Sequence, residues 1–245
     1  MNLPNILSGA GRALLDLLIP PRCHICHVAV YEAENLHICD ACYTKLPFIA
    51  SAICTVCGIP FAGAGDNHPC GSCIKEPPPY SAARAAFSYD LACRDLIHAY
   101  KYSGRYSLRK PLGLLTADAL AAFASSSGAE LLLPVPLHKQ RLKERGFNQA
   151  LLIAEVLSSQ WNIPLLRQGL ARTRWTQPQI ELDRKERLSN LKGAFTVTET
   201  TAISGRRVML VDDVFTTGST LAECSKTLKH AGAAEVFAVT VAHAP

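Results

Sequence analysis

Beyond residue 80, apolar residues fall into two alternating patterns. Short runs rich in β-branched residues predict strands, and longer stretches with apolar residues at every third or fourth position predict helices. The strands are expected at residues 83–89, 130–135, 194–198, 208–211 and 235–242, and the helices at 92–102, 107–126, 150–160 and 221–231. This alternation predicts an α/β domain with a mostly parallel sheet, helices on both faces and a ligand site beyond the carboxyl ends of the strands.

Two adjacent acids end the fourth predicted strand, and a turn rich in hydroxyl groups follows them. The start of the next helix offers free N–H groups and a positive dipole end, which suit a phosphate dianion, and Gly218 allows the backbone to approach it. Asp212 and Asp213 can accept hydrogen bonds from a ribose diol, whereas Thr220 and Glu223 have the spacing of a capping box. The alternative is an ordinary junction whose polar residues only cap the turn. The hydroxyl groups come from Thr216, Thr217, Ser219 and Thr220.

The common nucleotide-binding motifs are absent from the sequence. It contains no G-x-x-x-x-G-K-[ST] segment and no G-x-G-x-x-G segment after a strand. The acids and the turn instead resemble the signature of type I phosphoribosyltransferases. In those enzymes this loop binds the ribose and 5-phosphate of phosphoribosyl pyrophosphate (PRPP), so the resemblance implies the same ligand here.

Eight of the ten cysteines lie in the first third of the chain as four C-x2-C pairs. Twelve, eleven and twelve residues separate successive pairs, so the unit C-x2-C-x12-C-x2-C occurs twice. Two such pairs complete a tetrahedral four-sulfur zinc site. The spacing therefore predicts two structural zinc ions, one held by Cys23, Cys26, Cys39 and Cys42 and the other by Cys54, Cys57, Cys70 and Cys73.

Other uses of these cysteines fit the sequence less well. A disulfide scaffold needs an export signal, and residues 1–20 show no basic leader or small-x-small cleavage site. A thioredoxin-type redox pair needs one C-x2-C at a helix start, not four in loops. Cys93 and Cys224 lie on predicted helices, where a buried small hydrophobe is the default. Pairing of the first C-x2-C with the third stays open, as do the substitute ligands His24, His27, His37 and His68.

Composition limits the class of protein. The 245 residues suffice for one sizeable core and a small extra module, and a hydrophobic fraction of 49% with 18% charged residues excludes a disordered chain. No apolar run approaches the roughly 18 residues of a membrane span. The net charge of +5 is compatible with phosphate or nucleic-acid ligands but indicates neither. A stiff proline-rich linker sets the expected domains: an amphipathic segment 1–20, a double zinc-ribbon domain 21–76 and a phosphoribosyltransferase domain 80–245.

A basic loop at residues 139–149 follows the second predicted strand. It is therefore expected to open on the same crevice as the acid pair. Its Arg141, Lys143 and Arg145 carry the charge needed for a pyrophosphate, although a solvated basic loop is the alternative. Further along, residues 170–190 form a long polar segment that is typical of a lid.

Several motifs together point to one family. They are the double cysteine module and the segments 100–105, 134–137, 145–149, 176–179 and 211–218, with Arg187, Asn190 and Phe195. These residues resemble the ComF/GntX family of competence-associated, type I phosphoribosyltransferase-like proteins. The resemblance implies a cytoplasmic protein with an N-terminal zinc module and a PRPP-binding domain. It also implies a role in natural transformation, in which relatives handle single-stranded DNA with a helicase-like partner. Mg²⁺ is expected to accompany PRPP, because the dense charge of the diphosphate needs a hard cation.

The first functional hypothesis is transfer of phosphoribose to an unidentified acceptor. Asp212 and Asp213 would hold the ribose diol while C1 gains oxocarbenium character, and residues 216–220 would bind the 5-phosphate. Lys143 and Arg145 would stabilise the departing pyrophosphate, because that interaction strengthens as charge develops.

Two further hypotheses keep the fold without the catalysis. One is a single-stranded DNA-binding accessory protein, with charge and a stacking surface from Arg172, Arg174 and Trp175. The other is a regulator whose affinity for DNA or a partner changes when PRPP binds. The salt dependence of DNA binding discriminates the first from an enzyme.

Overall fold

The computed structural model describes residues 20–30, 36–50, 52–63, 65–102, 105–175 and 191–244, without the side chains of residues 91 and 92. The amphipathic segment expected at 1–20 and the second half of the expected lid, 176–190, lie almost wholly outside these residues. In chain order the elements are α1 (Asp40–Tyr43), α2 (Gly71–Lys75), β1 (Ala82–Ser88), α3 (Leu91–Tyr102), a 3₁₀ turn (Tyr106–Leu108), α4 (Arg109–Ala119), α5 (Ala121–Ser127), β2 (Leu131–Pro134), α6 (Lys139–Arg145), α7 (Gln149–Trp161), β3 (Leu170–Arg172), β4 (Phe195–Val197), α8 (Thr200–Ile203), β5 (Arg207–Phe215), α9 (Ser219–His230) and β6 (Glu235–His243). No described helix is both long and apolar enough to cross a bilayer.

The main sheet in the described residues contains four parallel strands in the order β1-β6-β5-β2, which confirms the predicted parallel α/β architecture. The centre of the sheet is apolar: Val208, Met209, Leu210 and Val211 of β5 are all fully buried. The strand expected at 194–198 is not part of this sheet. It forms β4, which pairs antiparallel with β3 in a separate two-stranded sheet.

Three predicted elements differ from the structure. Strand β5 does not end before the acids, because parallel pairing with β6 continues through Asp212 to Phe215. The helix expected at 107–126 is divided at Leu120 into α4 and α5. The expected basic loop begins as helix α6: Lys139–Arg145 is rich in helix-forming residues, and Gly146 ends the helix in a left-handed conformation (φ +79°).

The chain divides into two compact units, residues 1–46 and 47–245. The first cysteine group belongs to the smaller unit, and the second group belongs to the larger unit together with the α/β sheet. The domain limits expected from the sequence, 1–20, 21–76 and 80–245, stay predictions.

Within the larger unit, the second cysteine segment is bonded to the outer edge of β1. The Ala83 N–H donates to the carbonyl of Val56 (2.7 Å), and the Arg84 guanidinium donates to the carbonyl of Thr55 (3.0 Å). Gly58 has φ +73°, and a Cβ there would lie 2.5 Å from the Ala83 carbonyl oxygen. The loop and the strand therefore fit together only with glycine at this position. Further along the same edge, the Ile49 N–H donates to Ala86 O (3.0 Å) and the Ser88 N–H to Pro47 O (2.9 Å).

Candidate functional site

A crevice of about 620 Å³ lies beside the acid pair of β5. As expected from the parallel sheet, residues that follow β2 and residues of β5 line the same crevice. Among the predicted site residues, the structure brings together Asp212, Asp213, Arg145, Thr216 and Thr220. Arg141 also lines it, whereas Lys143 is exposed and is not among the lining residues.

The two acids of β5 have different surroundings. The Asp213 N–H donates to Asp212 Oδ1 (2.9 Å), and Asp213 Oδ2 lies 3.0 Å from Lys101 Nζ. Burial, and then the neighbouring charge of Asp213, raise the pKa of Asp212 to about 7, although Lys101 and Arg172 partly oppose this. Asp213 is therefore held in an ion pair, whereas burial and the charge of Asp213 raise the pKa of Asp212.

The hydroxyl turn leads directly into helix α9. Gly218 has φ +73°, and a Cβ there would lie 2.7 Å from the Phe215 ring. The hydroxyl groups of Thr217 and Ser219 hydrogen-bond to each other (2.8 Å). The capping box expected from Thr220 is wrong, because the helix begins two residues earlier than predicted, at Ser219, with Gly218 as its N-cap. The Ser219 N–H donates to Thr217 Oγ1 (3.5 Å), and the next N–H groups of this helix start keep the geometry of an anion site.

A second cavity, of about 340 Å³, lies on the other side of the hydroxyl turn. Thr217, Gly218 and Ser219 line this cavity, whereas Thr216 lines both cavities. The predicted phosphate-binding residues 216–220 are therefore divided between two faces of the turn. Their assignment to a ligand stays a prediction.

The segment 145–149 closes the crevice from the side of α6. Gly146 ends α6, and Asn148 begins α7 by accepting from the Ala150 N–H (3.0 Å). Asn148 also donates to the carbonyl of Val135 (3.1 Å), which ties this turn to the end of β2. The Gln149 side chain is buried at the crevice wall, and its Nε2 has no hydrogen-bond partner among the described residues.

Aromatic and basic side chains meet at the mouth of the crevice. The Arg145 guanidinium lies 5.0 Å from the ring centre of Tyr102, and the Arg141 guanidinium lies 5.9 Å from the ring centre of Trp175. The His138 ring meets the Trp175 ring edge to face at 5.1 Å. We call these five residues the aromatic rim. Tyr102 and Trp175 are both exposed.

Several residues that line the crevice have no role predicted from the sequence. The clearest is Lys101, with Tyr89 and His98 beside it. A helical signal was present, because residues 98, 101 and 102 have the i, i+3, i+4 spacing that places side chains on one helix face. The family motif at 176–179, with Arg187 and Asn190, lies outside the described residues.

The eight paired cysteines form the two expected groups. In each group the four Sγ atoms lie within 4.8 Å of one another, and the first C-x2-C lies with the second, not with the third. The Cys26–Cys39 and Cys57–Cys70 sulfur distances are 3.6 Å and 3.8 Å. These match the edge of about 3.8 Å in a zinc tetrahedron with Zn–S bonds of about 2.3 Å, and they are far longer than a disulfide bond. The donor sets therefore fit structural zinc.

One thiol in each group, that of Cys23 or Cys54, has a lowered pKa. Burial raises the pKa of Cys54, but backbone N–H groups of Cys70, Cys57 and Val56 outweigh it and lower the pKa to about 6. Cys23 has the same arrangement and also a pKa of about 6. Hydrogen bonds from the backbone to a thiolate are what a zinc-bound sulfur requires. As expected, the two remaining cysteines, Cys93 and Cys224, are buried in helices.

Comparison with known proteins agrees with both parts of the chain. A model of the double zinc ribbon domain matches residues 14–74, and a model of the phosphoribosyl transferase domain matches residues 148–245. The DNA utilization protein YhgH of Shigella flexneri is 33% identical over 224 residues, which cover 90% of this chain and 96% of that protein. Competence protein F of Haemophilus influenzae is 32% identical over 219 residues, covering 88% and 93%.

These findings define a phosphoribosyltransferase-like α/β fold combined with a double zinc ribbon. The chain belongs to the ComF family, which includes YhgH and competence protein F, as the sequence motifs predicted. Among solved structures, the glutamine PRPP amidotransferase from B. subtilis, complexed with ADP and GMP, aligns with 58% of this chain and 30% of its own chain. The identity is 23% and the TM-score is 0.40.

Proposed function

We propose that this protein binds PRPP with Mg²⁺ in the crevice and transfers phosphoribose to an acceptor. One observation carries the proposal: a single crevice is lined by the acid pair, by the two ends of the hydroxyl turn (Thr216 and Thr220) and by Arg141 and Arg145 of helix α6. Each suits one part of PRPP, namely the ribose diol, the 5-phosphate and the diphosphate. The names of the relatives, a DNA utilization protein and a competence protein, support a role in DNA utilization and competence, which we place in the cytoplasm.

The proposed chemistry is dissociative transfer at the ribose C1. Mg²⁺ enters with the diphosphate as part of the substrate, since such dense negative charge needs a hard cation. As the bond from C1 to the pyrophosphate oxygen lengthens, the ribose gains oxocarbenium character, and Asp212 and Asp213 hold its diol and add negative potential. Arg145 stabilises the pyrophosphate that leaves, and the acceptor bonds to C1. Lys143, which is exposed, keeps its predicted role only if α6 shifts toward the ligand.

We expect the affinity for PRPP with Mg²⁺ to rise with pH. The pKa of Asp212 is about 7, and its carboxylate accepts a hydrogen bond from a hydroxyl group better than the neutral acid does. Below this pKa the loss approaches about tenfold for each pH unit, the limit for one proton. Calorimetric titration at pH 6, 7 and 8 measures the effect.

The Asp212→Asn variant is the control for this pH dependence. An amide does not titrate, so the variant retains only the pH dependence of PRPP itself. An identical pH dependence in the wild type and in Asp212→Asn would remove Asp212 from the binding equilibrium.

Binding of single-stranded DNA is a second candidate function, and the aromatic rim favours it. Bases stack on exposed aromatic rings, and guanidinium groups bind the phosphates between them. Aromatic residues make up only 7% of the sequence, but the fold brings two of them together with basic side chains at the mouth of the crevice. A helicase-like partner, expected from the family resemblance, would act on the same strand.

The salt dependence of binding to a labelled single-stranded oligonucleotide tests this second function. Each phosphate contact contributes about −0.7 to the slope of log K against log salt, so Arg141→Ala with Arg145→Ala should reduce the slope by about 1.4. Trp175→Ala should weaken binding and leave the slope unchanged, because stacking releases no counterions. Binding that is unaffected by all three substitutions would exclude the aromatic rim as the DNA site.

A further inference from the structure

Lys101, which forms a buried ion pair with Asp213 in the crevice, has no role in the chemistry above. Lys101 lies in the last turn of α3, and its Nζ is 3.0 Å from Asp213 Oδ2. The side chains are only 19% and 12% exposed. Removing two charges from water costs several kcal/mol for each ion, and their attraction only offsets this cost. Stability alone therefore does not explain a charged pair at the wall of a ligand crevice.

The charge of Lys101 acts on both acids of β5. Burial by itself would lower the pKa of Lys101, but Asp213 outweighs this and raises it. Lys101 in turn lowers the pKa of Asp212, whose own burial and proximity to Asp213 raise it to about 7. Without the ammonium group, two adjacent carboxylates would share a poorly solvated site, and the pair would retain a proton.

Other charged groups around the pair cannot replace this lysine. Arg172 on β3 also lowers the pKa of Asp212, but it lies beside the thiol of Cys224 from α9. Arg145 on α6 repels Lys101 and contacts the Tyr102 ring. Within the described residues, Lys101 is the cation that forms an ion pair with either acid. Tyr89, His98, His138 and Arg141 complete the titratable lining.

We propose that Lys101 is a positioning residue: its ammonium group holds the Asp213 carboxylate at the crevice wall and keeps the acid pair charged, so that the pair accepts the ribose hydroxyl groups. This inference rests on the proposed binding of PRPP. It assigns Lys101 to the ribose end of the ligand and not to the diphosphate. Binding of ligands that carry the diol therefore depends on Lys101, whereas binding of ligands without the diol does not.

The ligand-free protein gives the first test. Carbon-13 NMR of the aspartate carboxyl groups, followed from pH 4 to pH 9, measures the titration of the acid pair in wild type, Lys101→Met, Lys101→Arg and the exposed control Lys110→Met. We expect Lys101→Met to move the titration near pH 7 upward by about one pH unit or more, and the other two variants to resemble wild type. An unchanged titration in a folded Lys101→Met protein would overturn the proposal, whether or not PRPP binds.

Two partial ligands give the second test. Ribose 5-phosphate carries the diol, whereas pyrophosphate with Mg²⁺ does not. At pH 6.5, Lys101→Met should bind ribose 5-phosphate about tenfold more weakly, which corresponds to one pKa unit, and pyrophosphate within about twofold of wild type. Equal losses for both ligands would mean that Lys101 contacts the diphosphate or supports the fold, and would overturn its assignment to the ribose. If wild type binds neither ligand, the proposed function fails, and the assignment to the ribose fails with it.

Discussion

Replacing Cys73 with serine should strongly destabilise residues 47–245, whereas Cys42→Ser should leave them folded. The two cysteines occupy the same position in the two zinc groups, so the variants are matched. Hydrogen bonds join the second group to β1, from the Ala83 N–H to the Val56 carbonyl and from the Arg84 guanidinium to the Thr55 carbonyl, whereas the first group belongs to the smaller unit. In addition, Val56 and Cys57 pack against the hydrophobic core of the α/β sheet. Loss of the second zinc ion therefore loosens an edge of the sheet itself.

The expected magnitude follows from zinc binding. Zinc contributes roughly 10–16 kcal/mol to isolated finger peptides, and a loss of only about 3–5 kcal/mol here would lower the melting temperature by roughly 6–20 °C. Both tryptophans, Trp161 and Trp175, lie in the larger unit, so tryptophan fluorescence follows its melting. Metal analysis should give one zinc ion for each variant and two for wild type. Equal melting temperatures for Cys73→Ser and Cys42→Ser would contradict the unequal roles of the two zinc groups.

Asp212→Asn should weaken binding of PRPP with Mg²⁺ by about 2–4 kcal/mol, or roughly 30–1000-fold, the range for a lost charged hydrogen bond in a preorganised site. The free protein should be at least as stable as wild type at pH 8. The reason is that the pKa of Asp212 is raised to about 7, so its ionisation costs the folded state stability as pH rises through neutrality. An amide avoids that cost and still accepts from the Asp213 N–H.

Melting temperatures with and without the ligand measure both effects in one experiment. PRPP with Mg²⁺ should raise the melting temperature of wild type and of the exposed control Asp118→Asn, but not that of Asp212→Asn. Asp213→Asn is a less suitable variant, since it leaves the buried Lys101 ammonium without its carboxylate. If Asp212→Asn is stabilised by the ligand as strongly as wild type is, the acid pair does not bind the ribose.

The fold was largely predictable from sequence because its signals are local. Apolar strands such as 208–211, the spacing of the cysteines and the glycine of the hydroxyl turn each depend on neighbouring residues. The same reasoning missed helix α6, although its composition and Gly146 are ordinary helix signals. Basic charge suggested a ligand-binding loop and obscured the helix propensity of the same residues.

Contacts between residues far apart in the chain explain the features that the sequence did not predict. Strand β5 extends through the acids because β6 pairs with it, and β4 leaves the main sheet because its partner is β3. The ion pair of Lys101 and Asp213 joins residues far apart in the chain, so no local sequence pattern predicts it. The attachment of the second cysteine group to β1 likewise depends on contacts between Gly58 and Ala83.

Calorimetric titration of PRPP with Mg²⁺ into zinc-loaded wild type and into Asp212→Asn tests the central claim most directly, because this variant leaves the ion pair of Lys101 and Asp213 intact. We expect saturable binding at one site in wild type and binding weakened by roughly 30-fold or more in Asp212→Asn. Folding of both proteins is checked by tryptophan fluorescence and zinc content before titration. Absence of binding by folded, zinc-loaded wild type would contradict the account, and single-stranded DNA would then become the ligand of the crevice mouth to test.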